Sequence, residues 1–301
     1  MAGSPARADH FYGGQAVVEG VMMRGRDVWA VAVRRPDGTL HIESHEIDPI
    51  ARRHRILTRP LLRGVIALGQ ALTIGFRALA ISARESVPEG EQLTSRQMAV
   101  SMAIAVALFV GIFIVAPAAA FRWVAHRVGS SVLVNAGEGV FRVGLFLGYL
   151  ALIGRTKEIR RVFAYHGAEH KTIAAYEHGE ELTPERVDRY STLHVRCGTN
   201  FLLIVMVITI FVFALFGNPG IWWRIGSRIV AIPLIAGLAF EMLRLGARYP
   251  DSALIRALMA PGLWLQKITT RPPERGMIEV AISAFVEVLR REAERARPAE
   301  G

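Results

Sequence analysis

The sequence predicts a mainly α-helical, polytopic membrane bundle of about four transmembrane helices. A small β-containing part precedes it, and amphipathic helices lie at its interface. Three observations predict this. Met98 to Phe121 contains no charged residue and is long enough to cross a bilayer core as a helix. Further apolar blocks follow it, within a chain that is 52% hydrophobic. The basic residues lie almost wholly outside these blocks and are shared unevenly among the segments between them.

The spans follow in order. Pro117 lies near the end of the first, where a kink or stop is tolerable. The second runs from Ala136 to Gly154, roughly 28 Å at ~1.5 Å per residue. Asn135 is its expected cap, and Glu138 and Arg142, four residues apart, make a structural pair on one face. The third lies in the uncharged stretch Gly198 to Trp223, closed by Asn218-Pro219-Gly220, with Trp222 and Trp223 at the interface. The fourth runs from Ile229 to about Ala247 and contains Glu241 and Arg244.

The basic residues orient the bundle. Of 36 Lys and Arg, 13 precede the first span, eight lie between the second and third, and nine follow from Arg248 onward. The two other loops carry two each, and Arg142 and Arg244 sit within spans. The positive-inside rule then places both termini and the central loop in the cytoplasm, with the chain in the cell (inner) membrane. This asymmetry accounts for much of the net charge of +10 without nucleic acid, for which no motif is present. The expected partners are the bilayer and anionic lipid headgroups. Met1 to His10 is polar, so no cleavable signal peptide is expected. The single cysteine excludes an internal disulfide.

Outside the spans, Trp29 to Arg34 alternates as a strand, Pro36-Asp37-Gly38 is a turn, and Leu40 to Ser44 is the returning strand of a hairpin. The glycine-rich run Gly13 to Gly25 reads as tight turns around a buried strand, with Glu19 and Arg24 as further site candidates. Leu61 to Ser82 is apolar except for Arg63, Gln70 and Arg77 on one stripe. Two placements fit such a helix: in the interface with its arginines toward headgroups, or packed against the bundle. Ala253 to Lys267 is a second helix of this kind, and Met277 to Arg295 a final amphipathic one. The expected segments are 1–60, 61–97, 98–154, 155–197, 198–247 and 248–301.

The chemistry concentrates in the loop after the second span. His166 and His170 stand one helical turn apart, a spacing that lets two imidazoles hold one ion, with Glu169 placed to orient or deprotonate a water. The order H-x-x-E-H is the inverted zincin pattern. His194 and Cys197, just before the third span, supply further ligands, so that His/His/His/Cys or His/His/Cys/water sets suit zinc. Glu177 and Glu241 are carboxylate alternatives. Such residues also occur in charged loops without any metal, and Cys197 can be a buried small hydrophobe.

The runs G-G-Q-A-V-V-E-G-V-M-M-R-G, Y-H-G-A-E-H-K-T-I-A-A-Y-E, S-T-L-H-V-R-C-G-T-N-F-L and P-G-L-W-L-Q-K-I-T-T-R-P are spread along nearly the whole chain. They resemble the bacterial YqhQ-like family of membrane proteins. The resemblance implies a domain of unknown function described as a predicted metal-dependent enzyme. It places the ligand motif on His166, Glu169, His170, His194 and Cys197. Val195 stands where relatives often have proline.

Two readings follow. The first is a metal-dependent integral membrane enzyme, a hydrolase at the cytoplasmic membrane face. In it Glu169 is the catalytic base, and His166, His170, His194 and Cys197 are the zinc ligands. The second is a transporter or scaffold with a structural metal.

Overall fold

A computed structural model of the chain describes residues 12–48, 55–125, 127–128, 130–194, 197–214, 221–249 and 252–296. The expected Asn218-Pro219-Gly220 break and Val195 lie outside these residues.

The N-terminal part is a meander of four antiparallel strands in sequence order: β1 (Gly13–Val17), β2 (Gly20–Arg24), β3 (Val28–Arg34) and β4 (Leu40–Glu46). The expected hairpin is β3 and β4, with Arg34 opposite Leu40. The glycine-rich run supplies the other two strands, with Val17 opposite Gly20. Their two-residue turn puts Glu19 at φ 51°, the left-handed region that a tight hairpin needs and that a non-glycine residue seldom adopts. Gly20 must lack a side chain there, because a Cβ would sit 2.3 Å from the Ala32 carbonyl oxygen.

The helices are α1 (Leu62–Glu85), α2 (Ser95–Val110), α3 (Ala116–Ala125), α4 (Ser131–Ile153), α5 (Lys157–Glu177), α6 (Pro184–Val187), α7 (Gly198–Ala214), α8 (Ile221–Arg248), α9 (Ala253–Thr269) and α10 (Arg275–Ala296). A π turn, Gly111–Val115, joins α2 to α3.

Strand alternation sorts the sheet into two buried faces. Val21, Met23, Ala30 and Ala32 pack on α5 and α10, around Tyr165, Ile278 and Phe285. Val17, Met22, Trp29, Val31 and Val33 pack on Ile74 and Ala78 of α1. The segment expected to be a cytoplasmic loop, 155–197, is therefore largely the helix α5, buried nearly all round between the sheet and α10. Thr156 caps its start by accepting from the Ile159 amide.

Among the described residues, three helices are long and apolar enough to cross a membrane: Leu62–Glu85, Ser95–Phe121 and Ser131–Ile153. Gly198–Ala214 is a shorter apolar helix. Two of the four expected spans are thus present at full length and the third is the shorter helix. The fourth lies inside α8, which also carries Glu241 and Arg244. Trp222 and Trp223 fall in the first turn of α8 rather than at the end of α7. The outer surface of these helices is apolar: α2 buries none of its residues, and Leu108 and Phe109 are exposed. That is what contact with lipid tails requires.

The sequence had offered two placements for Leu61 to Ser82, and in the structure it packs. The second half of α1 lies on the sheet and the first half on α8. Gly64 and Gly237 permit the crossing, since a Cβ on either would meet the other helix or Leu61 at under 3 Å. Two of the three polar residues of its stripe face protein, Arg63 Nε donating to Glu241 at 2.6 Å and Gln70 accepting from Arg24 at 3.0 Å, while Arg77 is exposed.

Two local expectations shift. The second span starts at Ser131, capped by Ser130, and Asn135 is buried within it. Glu138 and Arg142 do pair, at 2.6 Å, and Arg142 Nε also donates to the Phe113 carbonyl at 2.8 Å. Pro117 explains the second bond. A proline has no N–H to offer the carbonyl four residues back, so the helix relaxes into a π turn and Arg142 supplies the missing donor.

Candidate metal centre

His166 and His170 project from one face of α5, as residues four apart must. Cys197 immediately precedes α7 and is buried. One ligand atom from each of the three lies within 4.8 Å of the others. Sequence spacing suggested the set, but the orientation of the rings comes from elsewhere. His166 Nδ1 donates to the Thr269 carbonyl at the end of α9, at 2.9 Å. His170 Nδ1 donates to the Thr192 carbonyl at 2.5 Å. A carbonyl only accepts, so each ring donates from Nδ1 and turns its Nε2 away from that carbonyl. His166 Nε2 lies 3.1 Å from Cys197 Sγ. His170 Nε2 is buried without a hydrogen-bond partner. Backbone carbonyls on the outer nitrogens of paired imidazoles are the usual outer layer of a metal site.

The electrostatics keep His170 and His194 neutral. Burial is the main force that pushes the His170 pKa down to about 2. Burial pushes His194 down to about 4 and moves the Cys197 thiol upward. Glu169 is buried beside them, and burial raises its carboxyl to about 8, opposed by His166 and by the Gly14 backbone N–H. Its carboxylate is not among the converging ligand atoms.

His194 is brought alongside but points elsewhere. Its ring is 5.7 Å from that of His170, and its Nε2 lies 3.3 Å from Glu177 Oε2. Glu241 is held by Arg63, away from the centre. Glu19 is clamped by both Arg161 nitrogens at 2.6 Å and by the Tyr165 hydroxyl at 3.3 Å, which ties the β1–β2 turn to α5 and holds its carboxyl below the usual range. Arg24 is turned toward α1.

Three supporting residues were not singled out from the sequence. Gly14 of β1 lies against Glu169: a Cβ there would be 2.8 Å from Glu169 Cγ and 2.7 Å from the Met22 carbonyl oxygen. The Gly13-Gly14 doublet was the available signal. Gln266 is wholly buried in α9, accepts from the His194 amide at 2.8 Å, and donates to the His194 carbonyl at 2.8 Å and to Asn200 Oδ1 at 2.9 Å. A lone amide within an apolar helix was its signal. Gly167 lets α5 approach the chain after α9, since a Cβ would lie 2.1 Å from the Arg271 carbonyl oxygen.

The donor set fits a divalent metal. Two imidazole nitrogens and a thiol meet at one point, the tautomers are set, and one buried nitrogen lacks any other use. Zinc is the ion that His and Cys ligands together favour.

Residues 59–291 match a family described as "Protein of unknown function (DUF1385)". The chain is also 34% identical to a Bacillus subtilis (strain 168) protein described as "Uncharacterized protein YqhQ", over 94% of this chain and 93% of that one. No solved structure matches. The chain therefore belongs to the DUF1385 family, the YqhQ-like proteins of unknown function that its motifs resembled.

Proposed function

We propose that this chain is a metal-dependent membrane enzyme, a hydrolase, with zinc held by His166, His170 and Cys197. The observation that carries this reading is the pair of Nδ1-to-carbonyl hydrogen bonds, which turn both Nε2 atoms toward one thiol. Three protein ligands leave one position for a reactant, the arrangement of catalytic rather than structural zinc. The ion supplies Lewis acidity toward a carbonyl or phosphoryl oxygen and toward water.

The remaining work falls to the chain. Thr192 and Thr269 hold the two imidazoles in register. Cys197 gives up its proton on ligation. Glu169, with its carboxyl raised to about 8, is poised near neutral pH for proton transfer. It takes the proton from a water whose oxygen joins the acyl or phosphoryl atom, and returns it to the departing oxygen. The distribution of Lys and Arg supports a centre at the cytoplasmic face. His194 serves as the fourth ligand if its ring turns from Glu177. A set closed in that way would favour the structural metal of a transporter or scaffold.

Elemental analysis tests this directly. Wild-type protein should carry near-stoichiometric zinc, and the His166→Ala, His170→Ala double variant should not. After cobalt exchange, a thiolate-to-cobalt absorption band should be present and should vanish in Cys197→Ser. Glu169→Gln should keep the metal and lose hydrolysis. Wild-type protein free of metal, after purification without chelator and resupply of zinc, would sink the enzyme reading.

A further inference from the structure

A cleft of about 190 Å³ opens between α7, α8 and α9, and no step proposed above uses it. Leu203 and Val207 of α7, Met242 of α8 and Leu258 of α9 form its walls, and among the described residues Asn200 is the one polar side chain lining it. It follows α7 from Asn200 to Ile208, ~12 Å at ~1.5 Å per residue. Such a space is long, narrow and apolar.

Its two ends differ. At the mouth, Val207 is 41% and Leu258 47% exposed, and Leu202 and Leu254 nearby are exposed too. The cleft is thus continuous with the apolar surface that these helices turn outward. At the inner end, Gly262 presses on Asn200, where a Cβ would lie 2.3 Å from Asn200 Oδ1. The Asn200 backbone N–H donates to the Cys197 carbonyl at 3.1 Å, and Asn200 Oδ1 accepts from Gln266, which holds His194. The inner end is therefore one helical turn from the metal centre. Lys267 and Arg271, both exposed, stand two residues on either side of Thr269, whose carbonyl holds His166.

We propose that the cleft takes the acyl chain of an anionic membrane lipid, entering sideways from the bilayer, and that such a lipid is the substrate class of the centre. The apolar walls match the chain, the lateral mouth matches its source, and the exposed Lys267 and Arg271 around Thr269 match the headgroup. The polar linkage of a lipid seated this way lies beside His166, His170 and Cys197. The assignment rests on the enzyme reading of that centre.

The test uses full-length protein in lipid nanodiscs containing phosphatidylglycerol or phosphatidylcholine with a photoactivatable diazirine in the acyl chain. After irradiation, adducts are mapped by peptide mass spectrometry and zinc is measured on the same samples. Adducts should concentrate on 203–208 and 257–259, more strongly with phosphatidylglycerol. Ala257→Trp, and independently Val207→Trp, should fill the mouth and remove most of those adducts while zinc stays at the wild-type level. Adducts spread evenly over α2 and α4 and indifferent to both variants would overturn the cleft assignment. Protein–protein cross-links at the cleft in place of lipid adducts would assign it to a second copy and overturn it too. Equal labelling by the two lipids would remove the anionic headgroup. Absence of zinc from the wild type sinks the enzyme reading by itself, whichever residues are labelled.

Discussion

Gly14→Ala tests whether β1 and the centre are coupled. The added Cβ would sit 2.7 Å from the Met22 carbonyl oxygen and 2.8 and 2.9 Å from Glu169 Cγ and Cδ. The Met22 oxygen cannot yield cheaply, because Met22 is paired with Gln15 on one side and Val31 on the other. The strain must therefore push Glu169 away or peel β1 from β2. Overpacking of this kind costs about 1–3 kcal/mol. Displacing Glu169 also weakens its hydrogen bond from the Gly14 N–H. For a domain of 150–250 residues each kcal/mol lowers the melting temperature by about 2–4 °C, so a fall of several degrees is expected in this somewhat longer chain. Gly13→Ala is the control: nothing lies within 4 Å of its Cβ, so its effect should stay within about 0.5 kcal/mol. Thermal melting of the purified protein in detergent, followed by tryptophan fluorescence, measures both. Equal melting temperatures for the two variants would refute the reasoning.

Three further outcomes follow from the geometry. The metal-free protein should be most stable near pH 6.5. His170 and His194, held at about 2 and about 4, take up protons only on unfolding and cost stability as pH falls below ~6.5, while Glu169, raised to about 8, costs stability as pH rises from ~4.5 through that value. Each group contributes about 1.4 kcal/mol per pH unit within its window, so Glu169→Gln should flatten the alkaline arm in denaturation measured from pH 5 to 8. Gln266→Leu strips the His194 amide, the His194 carbonyl and Asn200 Oδ1 of one bond each, and should destabilise by at least about 1–3 kcal/mol and lower zinc retention on dialysis. Arg142→Met removes partners of both Glu138 and the Phe113 carbonyl and should cost about 3–5 kcal/mol, whereas the double change with Glu138→Gln should recover part of the loss; an additive double variant would disprove the coupling.

Much of the fold can be read from local pattern. An uncharged run of adequate length becomes a helix wherever it lies, because it must satisfy its own backbone, and Met98 to Phe121 does so. Pro36-Asp37-Gly38 specifies a reversal, and β3 and β4 pair across it. The four-residue spacing of His166 and His170 puts both rings on one side of any helix containing them. Glu138 and Arg142 find each other for the same reason. These are consequences of backbone geometry over a single turn.

What tertiary structure alone decided involves partners distant in sequence. Periodicity reports that one face of α1 is buried, but not that half of it meets the sheet and half meets α8. The histidine spacing gives the ligands but not their tautomers, which depend on carbonyls 22 residues away for His170 and 103 residues away for His166. Gly14 reaches Glu169 only because β1 is laid across α5. A side chain's chemistry is written in its residue type. The direction of its lone pair is set by whichever acceptor the packed chain brings to its other side.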